Sequence, residues 1–393
     1  IDRDIQRECE RIVGRSVGNV RGEIGNAAVI VVDVATGEVS ARVGSADFFH
    51  TPGGGQVDAC RAPRSPGSAL KPFAYALALE GGRLYASEML VDRALDFGRF
   101  SPENFDKRYR GLVGASDALK QSLNIPALTV LERVGTSELL EFLRRAGVGT
   151  LTKPADHYGL GLALGDCEVR LDELAGAYAA LAALGEYRPL RWVADEPAPA
   201  ATRLLETGTC IEIFRMLEQP LPSEIAGDVV TAAGVKPPVC WKTGTSTGYR
   251  DAWAFVFNRQ YLVGAWMGNN DGRSSKRLVG AWSALPLAAK VFRRLPLKTD
   301  AAWPDASTEL ASAEVCAVSG LPASEWCFQR RSVLLPRNQY LNRVCDMHYP
   351  AGGSEPNGSP RIVERWPGAV KGWDLARIDA GRRLARQAVE LRH

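Results

Sequence analysis

Residues 1–17 place Ile1, Ile5, Cys9, Ile12 and Val13 among charged positions, the spacing of an amphipathic helix. An apolar run over 27–34, the turn Thr36-Gly37-Glu38 and residues 39–43 predict a buried strand, a tight turn and an antiparallel partner that begin a sheet. The Gly/Pro-rich segment 51–55 is a loop. It leads to Leu70, Phe73, Ala74, Leu77 and Ala78, whose spacing predicts a helix opening at Ser68. Residues 84–100 show no firm period, and 101–106 carry turn chemistry. From Gly114 the pattern is helical over 116–123, 126–134 and 136–146. Residues 160–164 precede an apolar helix over 171–184, with a capping segment around 166–172 and nothing overtly chemical. A helix is expected over 198–218. Strands are expected over 252–257 and 261–267 around the turn Asn258-Arg259-Gln260, and a helix over 285–292. Strand, strand, many helices, strands, helix describes an α+β fold, one antiparallel sheet flanked by a helical subdomain, rather than a βαβ alternation. No internal repeat is visible.

At 393 residues the chain exceeds the usual size of a single core, so a large domain with a smaller one is expected. We divide it into 1–298 and a small C-terminal tail region, 299–393, with Cys-containing extension and terminal helix. Its 48 basic and 45 acidic residues leave a net charge of +3, which gives no reason to expect nucleic acid as a partner. The sequence contains neither an apolar stretch long enough to span a membrane nor a charged-then-apolar N-terminal signal. A chain opening on Ile1 rather than Met reads as a piece of a longer protein, so missing targeting signals say nothing about location. Cys9, Cys60, Cys167, Cys210 and Cys240 are scattered among apolar neighbours and read as free buried thiols.

Three short stretches carry chemistry. Ser68-Ala69-Leu70-Lys71 puts a hydroxyl and an amine on one side of a first helical turn, where a desolvated lysine near other cations can be neutral and take the serine proton. Ser122-Leu123-Asn124, just ahead of a helix, can project two polar groups from one short connection, although it also reads as a plain helix-ending turn. Lys242-Thr243-Gly244-Thr245 opens a strand whose lysine can hold a carboxylate, whose threonines supply donors, and whose glycine lets a substrate backbone approach. Acyl transfer through serine needs a nucleophile, a base, an oxyanion hole and a proton path to the leaving amine. Ser68 would attack, Lys71 would take its proton, the backbone N–H groups of Ser68 and Thr245 would bind the oxyanion, and Ser122 with Lys242 would relay a proton.

The ordered set S-x-x-K, S-x-N, K-T-G resembles that of the penicillin-binding protein and serine β-lactamase superfamily. The likeness extends over 64–75, 102–106, 121–127, 158–165 with 171–181, and 242–257, and covers roughly 1–298. It is most similar to the transpeptidase domain of class A penicillin-binding proteins, in particular type 1C. The resemblance implies D,D-transpeptidation of peptidoglycan stem peptides through an acyl-enzyme on Ser68, inhibition by β-lactams, and no cofactor for catalysis. It also implies a glycosyltransferase domain and membrane anchor ahead of Ile1, and a periplasmic location. A D,D-carboxypeptidase or β-lactamase-type hydrolase uses the same groups but needs a base for water, and no acidic candidate stands out. A poorly active penicillin-binding sensor or structural component of a wall-synthesis complex is the third reading.

Beyond about residue 298 the composition changes, with Trp303-Pro304, a Ser/Ala-rich join, and then Cys316, Cys327, Cys345 and His348. Three cysteines and a histidine match a closed zinc site, whereas an oxidising periplasm favours a disulfide between two of them; free thiols are the third possibility. Residues 352–360 read as a loop, and 375–391 as an arginine-rich amphipathic helix with a solvated or docking face.

Overall fold

The computed structural model describes residues 1–20, 22–95, 101–193, 197, 199–222, 238–298, 306–337, 339, 342–354 and 360–365. The elements follow in order: α1 (Arg3–Gly18), β1 (Asn26–Asp33), β2 (Val39–Val43), α2 (Lys71–Glu80), β3 (Met89–Asp92), β4 (Gly111–Gly114), α3 (Ala115–Lys120), α4 (Asn124–Val134) and α5 (Thr136–Arg145). They continue with α6 (Ala155–Tyr158), α7 (Leu171–Ala182), β5 (Glu186–Tyr187), β6 (Thr202–Arg203), α8 (Thr207–Leu217), β7 (Cys240–Thr245), β8 (Asp251–Phe257), β9 (Tyr261–Gly268) and α9 (Ala284–Phe292). The extension holds α10 (Ala306–Glu309) and the pairs β10 (Leu310–Cys316) with β11 (Arg330–Pro336), and β12 (His348–Ser354) with β13 (Pro360–Glu364).

The central sheet is antiparallel throughout, in the order β2-β1-β9-β8-β7, so the expected α+β class holds. Antiparallel strands that face water on one side alternate apolar with polar, yet β1 and β8 read as apolar runs. Both faces are covered. Ile30, Val32, Trp253, Phe255 and Phe257 enter one core, built with α2, α4 and α7. Val29, Val31, Ala252, Ala254 and Val256 enter the other, beneath α1 and α9. The bulky residues of β8 point toward the helical subdomain and the small ones toward α1 and α9. Helix α2 is buried from Lys71 to Leu79 and α7 from Leu174 to Ala182, so both lie inside the fold.

Three expectations change. The segment 84–100 contains strand β3, whose four residues are too few to display a period. The helix expected over 198–218 begins only at Thr207, because Thr202 and Arg203 pair with Glu186 and Tyr187. Gly352, Gly353 and Ser354, read as loop from their composition, lie in β12, where Ser354 pairs with Pro360 and the two glycines sit in a register shift between the paired ends. Trp303-Pro304 and residues 375–391 lie outside the described residues. No helix among the described residues is long and apolar enough to cross a membrane.

Candidate active site

Pro66 leads into a 3₁₀ turn over Gly67–Leu70, and α2 begins at Lys71 with Pro72 in its first turn, where no intrahelical N–H is lost. In 3₁₀ geometry residues three apart eclipse, so Ser68 and Lys71 share one side of the turn. Ser68 is half-buried and lines a cleft of about 650 Å³, and Lys71, one turn further on, is fully buried. Neighbouring segments hold the turn through backbone groups. Tyr178 donates to the Ala69 carbonyl at 2.6 Å, and the Trp253 indole to the Ser65 carbonyl at 2.8 Å. The Ser65 hydroxyl donates to the Gly165 carbonyl at 2.8 Å.

Glycines allow the remaining contacts. A Cβ on Gly244 would fall 2.0 Å from the Pro66 carbonyl oxygen, and one on Gly67, whose φ is +53°, would fall 2.3 Å from the Thr245 carbonyl oxygen. The missing side chain of Gly244 thus faces the serine turn, and its absence lets β7 lie directly on that turn. Thr243 and Thr245, which alternate with it, line the cleft.

Helix α3 ends in a Schellman motif, with Leu123 N–H bonding the Ala118 carbonyl at 2.9 Å and Ser122 N–H the Leu119 carbonyl at 3.0 Å. The left-handed position, usually glycine, is Ser122 with φ +60°. A serine there costs on the order of 1 kcal/mol, a cost typical of functional sites. Both readings of Ser122-Leu123-Asn124 are therefore true at once: it ends a helix and it places polar groups in the cleft. Lys71 Nζ donates to the Ser122 carbonyl and to Asn124 Oδ1, each at 2.7 Å, and to the Leu123 carbonyl at 3.2 Å. Lys242 Nζ, also buried, donates to Ser122 Oγ at 2.7 Å and to the Thr243 carbonyl at 2.8 Å. Burial drives the Lys71 pKa well below that of an ordinary lysine, and the charge of Lys242 lowers it further. Burial brings Lys242 down to about 7. The fold thus gathers Ser68, Lys71, Ser122, Asn124, Lys242, Thr243 and Thr245 at one cleft, with Gly244 immediately behind it.

Asn124 is itself held by residues that the sequence presents only as turn chemistry. Asn104 Oδ1 accepts from the Asn124 backbone N–H at 2.8 Å, while its amide donates to both oxygens of buried Asp92, at 2.8 and 2.9 Å. Asn124 Nδ2 donates to the Glu103 carbonyl at 2.6 Å. Asp166, in a segment that looked devoid of chemistry, lines the cleft together with Glu103. Phe105 and Tyr249, both exposed, meet edge to face at 5.9 Å across the cleft rim. Glu103, Asn104, Phe105 and Tyr249 fall in stretches that the family likeness covers, but no residue pattern gave any of them a part in the site, and nothing marked Asp92 or Asp166.

In the extension, Cys316, Cys327, Cys345 and His348 are all buried, and their ligand atoms lie within 4.8 Å of one another. None of the three cysteines is bridged. Cys9, Cys60, Cys210 and Cys240 are free and buried as expected, and Cys167 is free and half-buried.

Residues 27–252 match the family described as the penicillin binding protein transpeptidase domain. Among curated proteins, penicillin-binding protein 1C of Escherichia coli (strain K12) is 36% identical over 294 residues, which are 74% of this chain and 37% of that protein. Penicillin-binding protein 1A of Aquifex aeolicus (strain VF5) is 31% identical over 278 residues, 66% of this chain and 36% of that protein. The chain thus spans little more than a third of these relatives. The PonA1 protein of Mycobacterium tuberculosis, solved in complex with penicillin V, superposes with a TM-score of 0.61 at 22% identity, covering 75% of this chain and 83% of that one. Penicillin-binding protein 1A of Haemophilus influenzae gives a TM-score of 0.63 at 21% identity, covering 81% and 54%.

Proposed function

The chain belongs to the penicillin-binding protein transpeptidase family, and from that premise we propose that it is a serine D,D-transpeptidase that cross-links peptidoglycan stem peptides and is acylated by β-lactams. The observation that carries the reading is the pair of buried lysines joined through the Ser122-Leu123-Asn124 turn beneath an accessible Ser68. A neutral Lys71 still has two protons for the Ser122 carbonyl and Asn124 Oδ1, the two partners at 2.7 Å, and keeps a lone pair for the serine proton. Ser68 Oγ then attacks the carbonyl carbon of the penultimate D-Ala. Backbone N–H groups of Ser68 and Thr245 take the developing oxyanion. As the C–N bond breaks, Ser122 Oγ passes a proton to the departing terminal D-Ala and is resupplied by Lys242. The neutral amine of a neighbouring stem peptide attacks the ester and gives up a proton through Ser122 to Lys242, a new amide forms as the ester C–O bond breaks, and Ser68 recovers its proton from Lys71. Lys242 with Thr243 and Thr245 would hold the carboxylate of substrate or β-lactam.

In this reading residues 1–298 form the transpeptidase domain and 299–393 an extension. The native protein would carry a glycosyltransferase domain and a membrane anchor ahead of residue 1, and would work on the periplasmic face of the inner membrane. Catalysis would need no cofactor. A hydrolytic outcome draws support from Asp166, whose carboxylate lines the cleft and could activate water.

Intact mass after incubation with a stem peptide and a D-amino acid distinguishes the outcomes: exchange of the terminal residue supports transfer, loss of D-Ala alone supports hydrolysis, and a persistent adduct supports a sensor. Ser68→Ala should abolish covalent labelling by a fluorescent β-lactam and by stem peptide while the fold is kept. Labelling of that variant would overturn the assignment of Ser68.

A further inference from the structure

We propose that Cys316, Cys327, Cys345 and His348 bind one structural zinc ion, which fastens the C-terminal extension against the connection between helix α2 and strand β3. The geometry carries the proposal. His348 Nδ1 lies 3.5 Å from Cys316 Sγ, 3.6 Å from Cys327 Sγ and 3.5 Å from Cys345 Sγ. A tetrahedral zinc with Zn–S near ~2.3 Å and Zn–N near ~2.05 Å has a sulfur-to-nitrogen edge of about 3.5 Å. One nitrogen nearly equidistant from three sulfurs, with all four ligand atoms within 4.8 Å of one another, matches the nitrogen-to-sulfur edges of such a shell. A disulfide would instead bring two sulfurs to about 2.05 Å and leave the histidine out, yet all three cysteines are free. Thiols this close together in an oxidising compartment are prone to pairing, and a metal that holds them as thiolates prevents it.

The surroundings suit a metal site. The opposite ring nitrogen of His348, Nε2, is buried 3.6 Å from the Glu364 carboxylate, beyond hydrogen-bond reach, so only Nδ1 faces the three sulfurs. Val318 N–H donates to Cys316 Sγ at 3.4 Å, and Ser324 Oγ lies 3.3 Å from Cys327 Sγ. The Phe328 ring packs edge-on against His348 with centroids 4.8 Å apart and screens it. Three thiolates and one imidazole in a closed tetrahedron favour zinc over calcium or magnesium and leave no open position for catalysis.

The turn after Cys316 joins the ion to the rest of the molecule. Ser319 carbonyl accepts from Met89 N–H at 2.9 Å, and Ser87 Oγ donates to the Gly320 carbonyl at 2.6 Å. Tyr85 is packed among the three cysteines, Leu321, Leu335 and Met347. Among the described residues, Leu310 and Val315 are the fully buried apolar side chains that the extension adds to that small cluster, so a bound metal would supply a large share of the energy that fastens it.

Metal analysis of the intact chain, purified without a metal-affinity tag, tests the proposal. We expect one zinc per chain, less than a tenth of that in Cys345→Ser and in His348→Ala, and eight titratable thiols in the unfolded, unreduced wild type once chelator is added. Because the variants can fail to fold, two measurements use the wild type alone. Exchange of the ion for cobalt should give the intense visible absorption of tetrahedral thiolate coordination, and chelation should speed hydrogen exchange in residues 310–336 and 85–92. Absence of zinc with two thiols missing would establish a disulfide, and absence of zinc with eight thiols a bare cluster. Either result overturns the site, and unchanged exchange in 85–92 overturns the fastening.

Discussion

Replacing Gly244 with alanine tests whether the K-T-G glycine serves the ligand or the nucleophile. If it admits a substrate backbone, an added methyl narrows the cleft, weakens binding and leaves the free protein untouched. The structure directs that methyl elsewhere, to 2.0 Å from the Pro66 carbonyl oxygen and 3.2 Å from both Cβ and N of Ala69. Ordinary contact starts at 3.4 Å, so the strand and the serine turn must separate by about 1.4 Å (3.4 minus 2.0), and the nearest obstacle is backbone that cannot rotate away. Overpacking of this kind costs roughly 1–3 kcal/mol. A displacement of about 1 Å at a reacting centre costs on the order of 10²-fold in rate. Gly244→Ala should therefore melt several degrees lower without ligand and be acylated by a fluorescent β-lactam about a hundredfold more slowly, mainly in the rate at saturation. Wild-type melting with a loss confined to the half-saturating concentration would refute this account and restore the substrate-approach reading.

Lys71→Ala should slow acylation far more than it weakens reversible binding, whereas Lys242→Ala should weaken carboxylate ligands as well; equal effects in both kinetic terms for both variants would contradict these roles. Because burial lowers Lys242 from an ordinary 10.5 to about 7, the folded chain binds fewer protons than the unfolded chain between those values. That group's contribution to stability therefore rises with pH across the window and is flat below it. Binding of a carboxylate ligand above about pH 7 should take up a proton at Lys242, which calorimetry in buffers of different ionisation enthalpy would detect, and zero uptake would exclude a charge-assisted contact there. Asn104→Ala leaves the Asn124 N–H and the buried Asp92 carboxylate short of partners and should cost about 1–3 kcal/mol with slower acylation. Unchanged melting and labelling would show that Asn124 is positioned without it.

What the sequence disclosed divides along physical lines. Strands β1, β8 and β9 were legible because burial on both faces leaves long apolar runs, and α1 because one face stays wet. Ser68, Lys71, Ser122, Asn124 and Lys242 stood out because three short motifs, each weak alone, have the residue types that serine acyl transfer uses and together resemble the ordered set of a known family. The supports of the site were opaque. Asn104 lies in a turn that the family likeness covers without giving it a role, Asp92 lies in a stretch with no period, and the two become a pair only when β3 and the following turn meet in space. Gly244 could be read as serving the ligand because sequence carries no record of which face of a strand a backbone neighbour occupies. Ser122 in a left-handed position was invisible for the same reason, since φ belongs to the folded chain.

The division at residue 298 follows composition along the chain, but contacts cross it at a sensitive place. Glu88, 3% exposed, is paired with Arg133 of α4 at 2.9 Å and with Arg343 of the extension at 3.0 Å. A buried carboxylate left with one of two cations is destabilised. The next residue, Met89, hydrogen-bonds Ser319 of the extension and opens β3, and β3 ends at Asp92. Asp92 fixes Asn104, Asn104 fixes Asn124, and Asn124 accepts from Lys71. The extension therefore abuts the element on which the proposed base's own partner depends. If the proposed zinc is bound, it would hold the small sheet beside β3, and that restraint would reach the Ser122-Leu123-Asn124 turn, where serine occupies a left-handed position, through Asp92 and Asn104.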